Sequence, residues 1–249
     1  TYVAWNWKAG TTGSGTTTGS GTGKAYSYSV NTTAGFSIIK YEGNGTAGHT
    51  IPHHLGATAD FVIVKGRENT EAWQVISKAM DADKFIQLDA TTTQLSQGTY
   101  NMFNSTRPST TVVTLGTLAH TNQNNLDYIM YAFAEKDGYS KMGSYTGNGS
   151  TDGTFVYTGF RPAFVMIKRT DTTEHWKIQD GVRNPYNEVT ETLYANLSNA
   201  TDTVSGTADT DFVSNGFKLR GSGGQYNASG GTYIYIAFAE SPFKYSNAR

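Results

Sequence analysis

The chain has 249 residues, a formal net charge of -1 at pH 7 and no cysteine. This length can bury a sizeable core in one large all-β domain or two smaller ones, and the near-balance of charge argues against the basic surface that nucleic acids and anionic membranes select. Without cysteine there are no disulfides, thiol nucleophiles or cysteine-based zinc sites, and since no apolar stretch approaches roughly 20 residues, we expect no membrane insertion.

The first 34 residues precede the main pattern of the chain. Ala4–Lys8 is similar to Ala132–Lys136, which ends a strand predicted further along, so residues 1–10 are interpreted as the closing strand of an upstream copy. The chain opens inside this strand and without methionine, which favours a piece of a longer protein. Residues 11–34 are rich in glycine, serine and threonine and predict a flexible linker or a long loop.

Two copies of a unit of about a hundred residues follow, which is an ordinary domain size. Five blocks recur in the same order, 103 to 105 residues apart: Gly35–Ser37 with Gly138–Ser140, Tyr41–Gly45 with Tyr145–Gly149, Phe61–Lys65 with Phe164–Lys168, Thr70–Trp73 with Thr173–Trp176, and Tyr128–Glu135 with Tyr233–Glu240. This internal repeat predicts two tandem modules, residues 35–137 and 138–249. We expect them to touch, because only Lys136 and Asp137 separate the first closing strand from Gly138.

The period within each copy is that of β-strands. Short β-branched and aromatic runs are bracketed by turn-forming residues, and Asn44-Gly45, Asn148-Gly149 and Asn215-Gly216 fit tight hairpin turns. Seven or eight short strands per copy predict an all-β fold of two tandem antiparallel β-sandwiches, jelly-roll or lectin-like. The one helix predicted lies near Ile76–Asp83.

Histidines are the first candidates for metal binding, and His49, His53 and His54 cluster. Pro52 opposes the helix that would bring two of them to one face, and no carboxylate accompanies them at ligand spacing. The matching stretch of the second copy, Gly153–Gly159, has no histidine. We therefore assign no metal site and no cofactor.

Carboxylates near the two central tryptophans are the candidates for glycoside cleavage, which needs an acid and a base a few ångströms apart. Asp171, Glu174 and Asp180 lie near Trp176. Acidic residues recur at two of these positions in the first copy, as Glu68 and Glu71, which favours a role in the fold. No G-x-S-x-G nucleophile motif is present, so no catalytic residue is assigned, and a polysaccharide depolymerase acting through Asp171 or Asp180 is kept as an alternative.

Aromatic residues beside amides and arginine on loops are typical of sugar recognition, since rings stack on C–H faces while polar side chains bind hydroxyls. Trp73 and Trp176 recur at equivalent positions and are interpreted as core. The loops Leu95–Ser109 and Arg183–Asp202 align poorly between the copies, and most of the candidate ligand-binding residues lie there. The candidates are Tyr100, Asn101, Phe103, Asn104, Arg183, Asn184, Tyr186, Asn187, Tyr226 and Asn227.

Seven Asn-x-Ser/Thr sequons occur, at Asn31, Asn44, Asn104, Asn148, Asn196, Asn199 and Asn227. In a secreted eukaryotic protein they would be glycan sites on surface loops. The abundance of asparagine, serine and threonine produces such sequences by itself, so they discriminate little.

Several segments resemble a domain of unknown function at the ends of marine bacteriophage tail-fibre-like proteins. They are the runs Gly138–Asp171, Arg183–Asn187, Phe212–Arg220 and Gly230–Tyr245, with the opening YVAWNWKAG and Thr33–Gly35 followed by FSIIKYEGNGT. The resemblance implies a β-rich, lectin-like module on a tail fibre, commonly trimeric, that contacts the host surface. It brings no catalytic residues. In place of the single histidine that the family has between glycines, this sequence has His53-His54-Leu55-Gly56.

The sequence thus predicts a virion adhesion module, located on a tail fibre or extracellularly, whose loops bind a host-surface glycan or protein. A homotrimer or tandem array would multiply weak contacts into useful avidity. Besides the depolymerase, a purely structural or decorating role is the other alternative, distinguished by the absence of any glycan or host-cell binding.

Overall fold

The computed structural model describes residues 3–203 and 209–241, and these residues are almost entirely β-structure and connecting loops. Two parts of the sequence predictions lie outside the described residues. They are the beginning of the predicted first strand, residues 1–2, and parts of the predicted second module, residues 204–208 and 242–249. A single turn, α1 (Ala119–Asn122), is the one helix that the described residues form. The all-β prediction is confirmed at the level of fold class.

Strands in the first part of the chain form two antiparallel sheets. Their bounds are β1 (Thr11–Thr16), β2 (Thr18–Gly19), β3 (Ala25–Asn31), β4 (Phe36–Glu42), β5 (His49–Pro52), β6 (Phe61–Gly66), β7 (Gln74–Ser77), β8 (Lys84–Gln87), β9 (Leu95–Ser96), β10 (Val112–Leu115) and β11 (Asp127–Phe133). One sheet has the order β1-β3-β4-β11-β6-β7-β8-β9, and the other has the order β10-β5-β2.

Strands in the second part of the chain form two further sheets. Their bounds are β12 (Ser140–Thr146), β13 (Phe155–Tyr157), β14 (Pro162–Arg169), β15 (Lys177–Asp180), β16 (Leu193–Tyr194), β17 (Thr210–Val213), β18 (Gly216–Leu219) and β19 (Thr232–Ala239). The five-stranded sheet has the order β12-β19-β14-β15-β16, and the three-stranded sheet has the order β13-β18-β17.

The chain divides into two compact units. The first unit contains Thr1–Ile76, Ala82–Phe85 and Ser96–Ala134, and the second contains Ser77–Asp81, Ile86–Leu95 and Glu135–Arg249. In each unit, a strand late in the sequence lies in the interior of the larger sheet. β11 lies between β4 and β6 in the first unit, and β19 lies between β12 and β14 in the second.

The prediction of a flexible linker over residues 11–34 is wrong for most of its length. β1 pairs with β3 from Thr11↔Val30 to Thr16↔Ala25, and β3 pairs in turn with β4. Glycine is needed in β1 because a Cβ on Gly13 would lie 2.6 Å from Tyr28 Oη, across the strand pair. The glycine-rich composition therefore makes room for aromatic rings on the neighbouring strand instead of marking a linker. Residues 3–10 form no strand.

The helix predicted near Ile76–Asp83 is also wrong. Val75 and Ile76 are buried at the end of β7, and a turn follows in which the Ser77 carbonyl accepts the Met80 N–H at 3.1 Å. β-branched residues favour strands, and the short polar Asp81 and Asp83 favour turns. Among the predicted hairpin glycines, Gly45 and Gly149 have positive φ, whereas Gly216 is the first residue of β18 and the turn lies at Ser214–Asn215.

A buried asparagine organises the first unit. Asn122 accepts the backbone N–H of Asn44 on Oδ1 at 2.9 Å, and its Nδ2 donates to the carbonyls of Thr46 at 3.0 Å and Gly116 at 2.6 Å. Beside it, the stacked rings of Tyr41 and Tyr128 lie 5.2 Å apart. The side-chain amide thereby satisfies backbone groups that would otherwise be buried without partners.

Asn227 holds the corresponding position in the second unit. Its Oδ1 accepts the Asn148 N–H at 3.0 Å, and its Nδ2 donates to the carbonyls of Ser150 at 2.9 Å and Gly221 at 2.8 Å. The rings of Tyr145 and Tyr233 stack 4.9 Å apart, and Tyr145 Oη donates to the Tyr226 carbonyl at 2.6 Å. These contacts fix the loops that connect the two sheets of this unit.

The core of the second unit takes side chains from both of its sheets. Val165, Ile167 and Tyr235 come from the five-stranded sheet, and Phe217 and Leu219 come from the three-stranded sheet. Trp176 is also fully buried, as predicted, and its Nε1 donates to the Gln87 carbonyl at 2.7 Å. Trp73, in the first unit, is only half-buried and stacks on Tyr131.

Candidate functional site

The loop after β15 is held by a buried ion pair. Asp180, which is 2% exposed, accepts the Arg183 Nε–H on Oδ2 at 2.5 Å, and its Oδ1 accepts the backbone N–H groups of Val182 and Arg183 at 3.2 and 3.0 Å. Arg183 also donates to the Glu191 carbonyl at 3.4 Å. Because hydrogen-bonded ion pairs with little solvent access have defined geometry, the start of this loop has a fixed shape.

Two asparagines that were predicted to bind ligand fix the rest of this loop. Asn184 Oδ1 accepts the Glu191 N–H at 2.6 Å. Asn187 bonds Phe212 twice, accepting its N–H at 2.9 Å and donating to its carbonyl at 3.1 Å. The amides of both residues are thus used within the protein.

Tyr186 and Val182 are large hydrophobic side chains that this loop leaves in solvent. Tyr186 is 82% exposed and Val182 is 85% exposed, the largest values among the exposed large hydrophobic residues of the described chain. The loop therefore combines a backbone fixed by Asp180, Arg183, Asn184 and Asn187 with two apolar side chains projecting from it. Sequence reasoning selected Tyr186 and missed Val182, for which the only signal was an apolar residue between two turn-forming positions.

The loop Leu95–Ser109, which lies in the first unit from Ser96 onward, is organised by Gln97, which sequence reasoning also missed. Its Oε1 accepts the backbone N–H groups of Phe103 at 2.8 Å and Ser105 at 3.2 Å. Tyr100 is 44% exposed, with its ring edge against Phe85. Asn101 is half-buried, with its carbonyl accepting the Thr117 N–H, and Asn104 is half-buried with a positive φ of 53°.

Three predicted ligand-binding residues lie in the interior. Phe103, Tyr226 and Asn227 are each 0% exposed. Phe103 and Tyr226 are core rings, and Asn227 is the buried asparagine described above. None of the three can stack on or hydrogen-bond an external ligand while the protein is folded, so the candidate surface is reduced to Tyr100, Asn101 and Asn104 in the first unit and to the Tyr186 loop in the second.

Asp171 and Asp180, the two carboxylates named for a depolymerase, are separated and occupied. Asp171 accepts Arg169 Nε and Nη2 at 2.8 and 3.2 Å, and hydrogen bonding from Arg169 lowers the pKa of Asp171. Asp180 is bound to Arg183 at the other end of the β14–β15 hairpin, several residues of extended strand away. This arrangement does not provide the paired acid and base of a glycosidase.

The clustered histidines have separate structural contacts. His49 is buried between Thr17 Oγ1 at 2.6 Å and Asn122 Oδ1 at 2.9 Å, and His53 Nε2 lies 3.2 Å from the Ser109 carbonyl. His54 stacks on Tyr28 with ring centroids 3.7 Å apart. Burial lowers the pKa of each of these imidazoles. Within residues 3–203 and 209–241, no three His, Asp or Glu side chains are grouped so as to hold a metal ion.

A family model described as "Domain of unknown function (DUF7483)" matches residues 1–242. The chain belongs to this family. No curated protein matches the DUF7483 chain, and no solved structure does so either. In the described part of this DUF7483 domain, no helix has the length and apolar character that crossing a bilayer requires.

Proposed function

We propose that this protein is an adhesion module of a virion tail fibre or spike, which binds a host-surface glycan or protein through loops on a β scaffold. The observation that carries the proposal is the loop after β15, in which Tyr186 and Val182 project into solvent from a fixed backbone. An aromatic side chain on a fixed loop suits binding, because the backbone is already ordered and the ring has only two side-chain torsions to fix when it contacts a ligand. The virion assignment rests on the sequence resemblance.

We further propose that the scaffold consists of two tandem β-sandwich modules that arose by duplication. The order β4-β11-β6-β7 in the first unit parallels β12-β19-β14-β15 in the second. The hydrogen bonds of Asn122 also parallel those of Asn227, since each side chain accepts the backbone N–H of an asparagine, Asn44 or Asn148. These similarities support the internal repeat predicted from the sequence. The loops that differ between the copies are not needed for the shared scaffold and can therefore serve binding.

The proposed assembly is a homotrimer or a tandem array, on the virion or outside the cell. An aromatic loop of this size offers only a small contact area, so a single contact is expected to be weak. Presenting the same loop several times on one fibre raises the effective concentration of the remaining copies once the first has bound.

Replacing Tyr186 by alanine is expected to weaken binding to host cells or to glycan arrays about tenfold or more, because a central exposed ring is the kind of residue that dominates an interface. Thermal stability should be unchanged, since the ring is 82% exposed. The measurement is binding of fluorescent protein to cells and arrays, with the melting temperature of each variant.

The matched controls are Tyr186→Phe, which keeps the ring, and Phe155→Ala, which removes an exposed ring of β13 from the same unit. Binding retained by Tyr186→Ala would remove this loop from the interface. An unaltered protein that binds no cell and no glycan at any salt concentration, yet is incorporated into virions, would favour the structural role. The depolymerase has no support from the positions of Asp171 and Asp180.

A further inference from the structure

A small groove lies at the beginning of the second unit, away from the Tyr186 loop in sequence. It has a volume of about 290 Å³ and is lined by Glu135, Asp137, Gly138, Ser140, Lys141, Tyr157, Thr158 and Gly159. This volume is at the small end of the roughly 300–1,000 Å³ of small-molecule sites. It fits a single sugar ring better than a longer chain.

An exposed ring forms one wall of this groove. Tyr157 is the last residue of β13, where Phe155 and Tyr157 point to the outer face and Val156 points to the core. Tyr157 is 64% exposed, and its hydroxyl end lies near Gly159, where a Cβ, had the residue one, would be 3.6 Å from Tyr157 Oη. The glycine leaves the space beside the ring unfilled, and much of the ring surface is open to solvent.

The polar wall carries charges of both signs. Glu135 accepts Lys78 Nζ at 2.7 Å and Lys141 Nζ at 3.2 Å, and its Oε1 accepts the Met142 N–H at 2.8 Å. Burial raises the pKa of Glu135, but hydrogen bonds and charges from Lys78, Met142 and Lys141 outweigh it, so the pKa is lowered and the carboxylate stays ionised. The groove lining thus has two carboxylates, those of Glu135 and the exposed Asp137, and one ammonium group, that of Lys141.

We propose that this groove is a subsite for one neutral hexopyranose unit of a saccharide, with Tyr157 stacking on the sugar ring and Asp137 and Lys141 bonding its hydroxyls. An aromatic face attracts C–H groups, and ionised side chains form the stronger hydrogen bonds to hydroxyls. Because the lining has two carboxylates and one ammonium group, an uncharged sugar is favoured over an anionic one. This inference rests on the adhesion proposal and gives that function a ligand class and a second contact point.

The test is titration of the whole chain by NMR with glucose, galactose, N-acetylglucosamine and glucuronate as probes. For so small a ligand we expect dissociation constants on the order of 1 mM, with the neutral sugars binding more tightly than glucuronate. Tyr157→Ala should weaken binding of the neutral sugars about tenfold, Tyr157→Phe should keep most of it, and Asp137→Asn should weaken it less than Tyr157→Ala.

Phe155→Ala is the matched control, because it removes an exposed ring from the same strand face without lining the groove. Sugar binding that survives Tyr157→Ala but is lost in Tyr186→Ala overturns the groove and leaves the adhesion proposal intact. No response to any of the four sugars at tens of millimolar also overturns the groove, and cell binding that depends on Tyr186 would still support adhesion. Tighter binding of glucuronate than of the neutral sugars contradicts the assigned ligand class.

Discussion

Replacement of Asn227 by alanine is expected to lower the free energy of unfolding by about 3 kcal/mol. The substitution removes the hydrogen bonds that the fully buried Asn227 side chain makes to the Asn148 N–H and to the carbonyls of Ser150 and Gly221, and each buried group left unsatisfied costs about 1–3 kcal/mol. Equilibrium denaturation in urea, with the midpoint and slope fitted together, measures the change.

Asn199→Ala is the matched control, because it removes an exposed asparagine from the same unit and should change stability by less than about 0.5 kcal/mol. Asn122→Ala should destabilise the first unit by an amount similar to that of Asn227→Ala. If Asn227→Ala were as stable as Asn199→Ala, the buried amide would have no structural role.

Stability is expected to rise between pH 7 and pH 9 because of Lys177. This side chain is 1% exposed, with its Nζ 4.0 Å from the centre of the Tyr226 ring and 3.5 Å from Thr210 Oγ1. Burial lowers its pKa to about 7, although the charge of Asp209 acts in the opposite direction.

Below pH 7 the lysine carries its proton in both states, and the folded protein bears the cost of a buried charge. Above pH 7 the folded state releases this proton, whereas the unfolded chain keeps it until about pH 10.4. The unfolded state then binds more protons, so the free energy of unfolding increases with pH. At about 1.4 kcal/mol per pKa unit, Lys177 should add about 2 kcal/mol from pH 7 to pH 9.

Denaturation curves recorded at intervals between pH 6 and pH 9 measure this slope. In Lys177→Met the rise between pH 7 and pH 8 should disappear, because the substitution keeps an unbranched side chain and removes the charge. Burial also lowers the pKa of Lys168, to about 8, so a rise above pH 8 should persist in that variant. A flat or falling profile in the unaltered protein would contradict the proposed protonation of Lys177.

The strands that bury side chains on both faces were predictable from the sequence, because a short continuous run of apolar residues is stable only when both of its faces are buried. Phe61–Lys65 and Phe164–Lys168 lie in β6 and β14, as the pattern indicated. β1 was not predictable in this way. Its glycines are explained only by Tyr26 and Tyr28 on the next strand, and cross-strand neighbours are absent from a local sequence window.

The candidate site was predictable only as a region. Asparagine and arginine beside an aromatic residue correctly indicated a loop after β15, but the pattern does not show which polar side chains the protein uses for itself. Arg183, Asn184 and Asn187 bond the loop backbone and its neighbours, while Tyr226 and Phe103 are core rings. In a polar loop, many backbone N–H and C=O groups need hydrogen-bond partners, and the side-chain amides of the loop itself are the nearest ones.

The position of Asn227 has a practical consequence for producing the protein. Its Nδ2, the atom that receives the sugar in N-linked glycosylation, faces the carbonyls of Ser150 and Gly221 in the interior. Oligosaccharide transfer to the nascent chain in a eukaryotic secretory pathway would therefore block folding of the second unit, although the sequon is intact. Expression in the bacterial cytosol avoids this modification. Removing the sequon by Asn227→Gln, as is usual for secreted expression, would itself disturb the core.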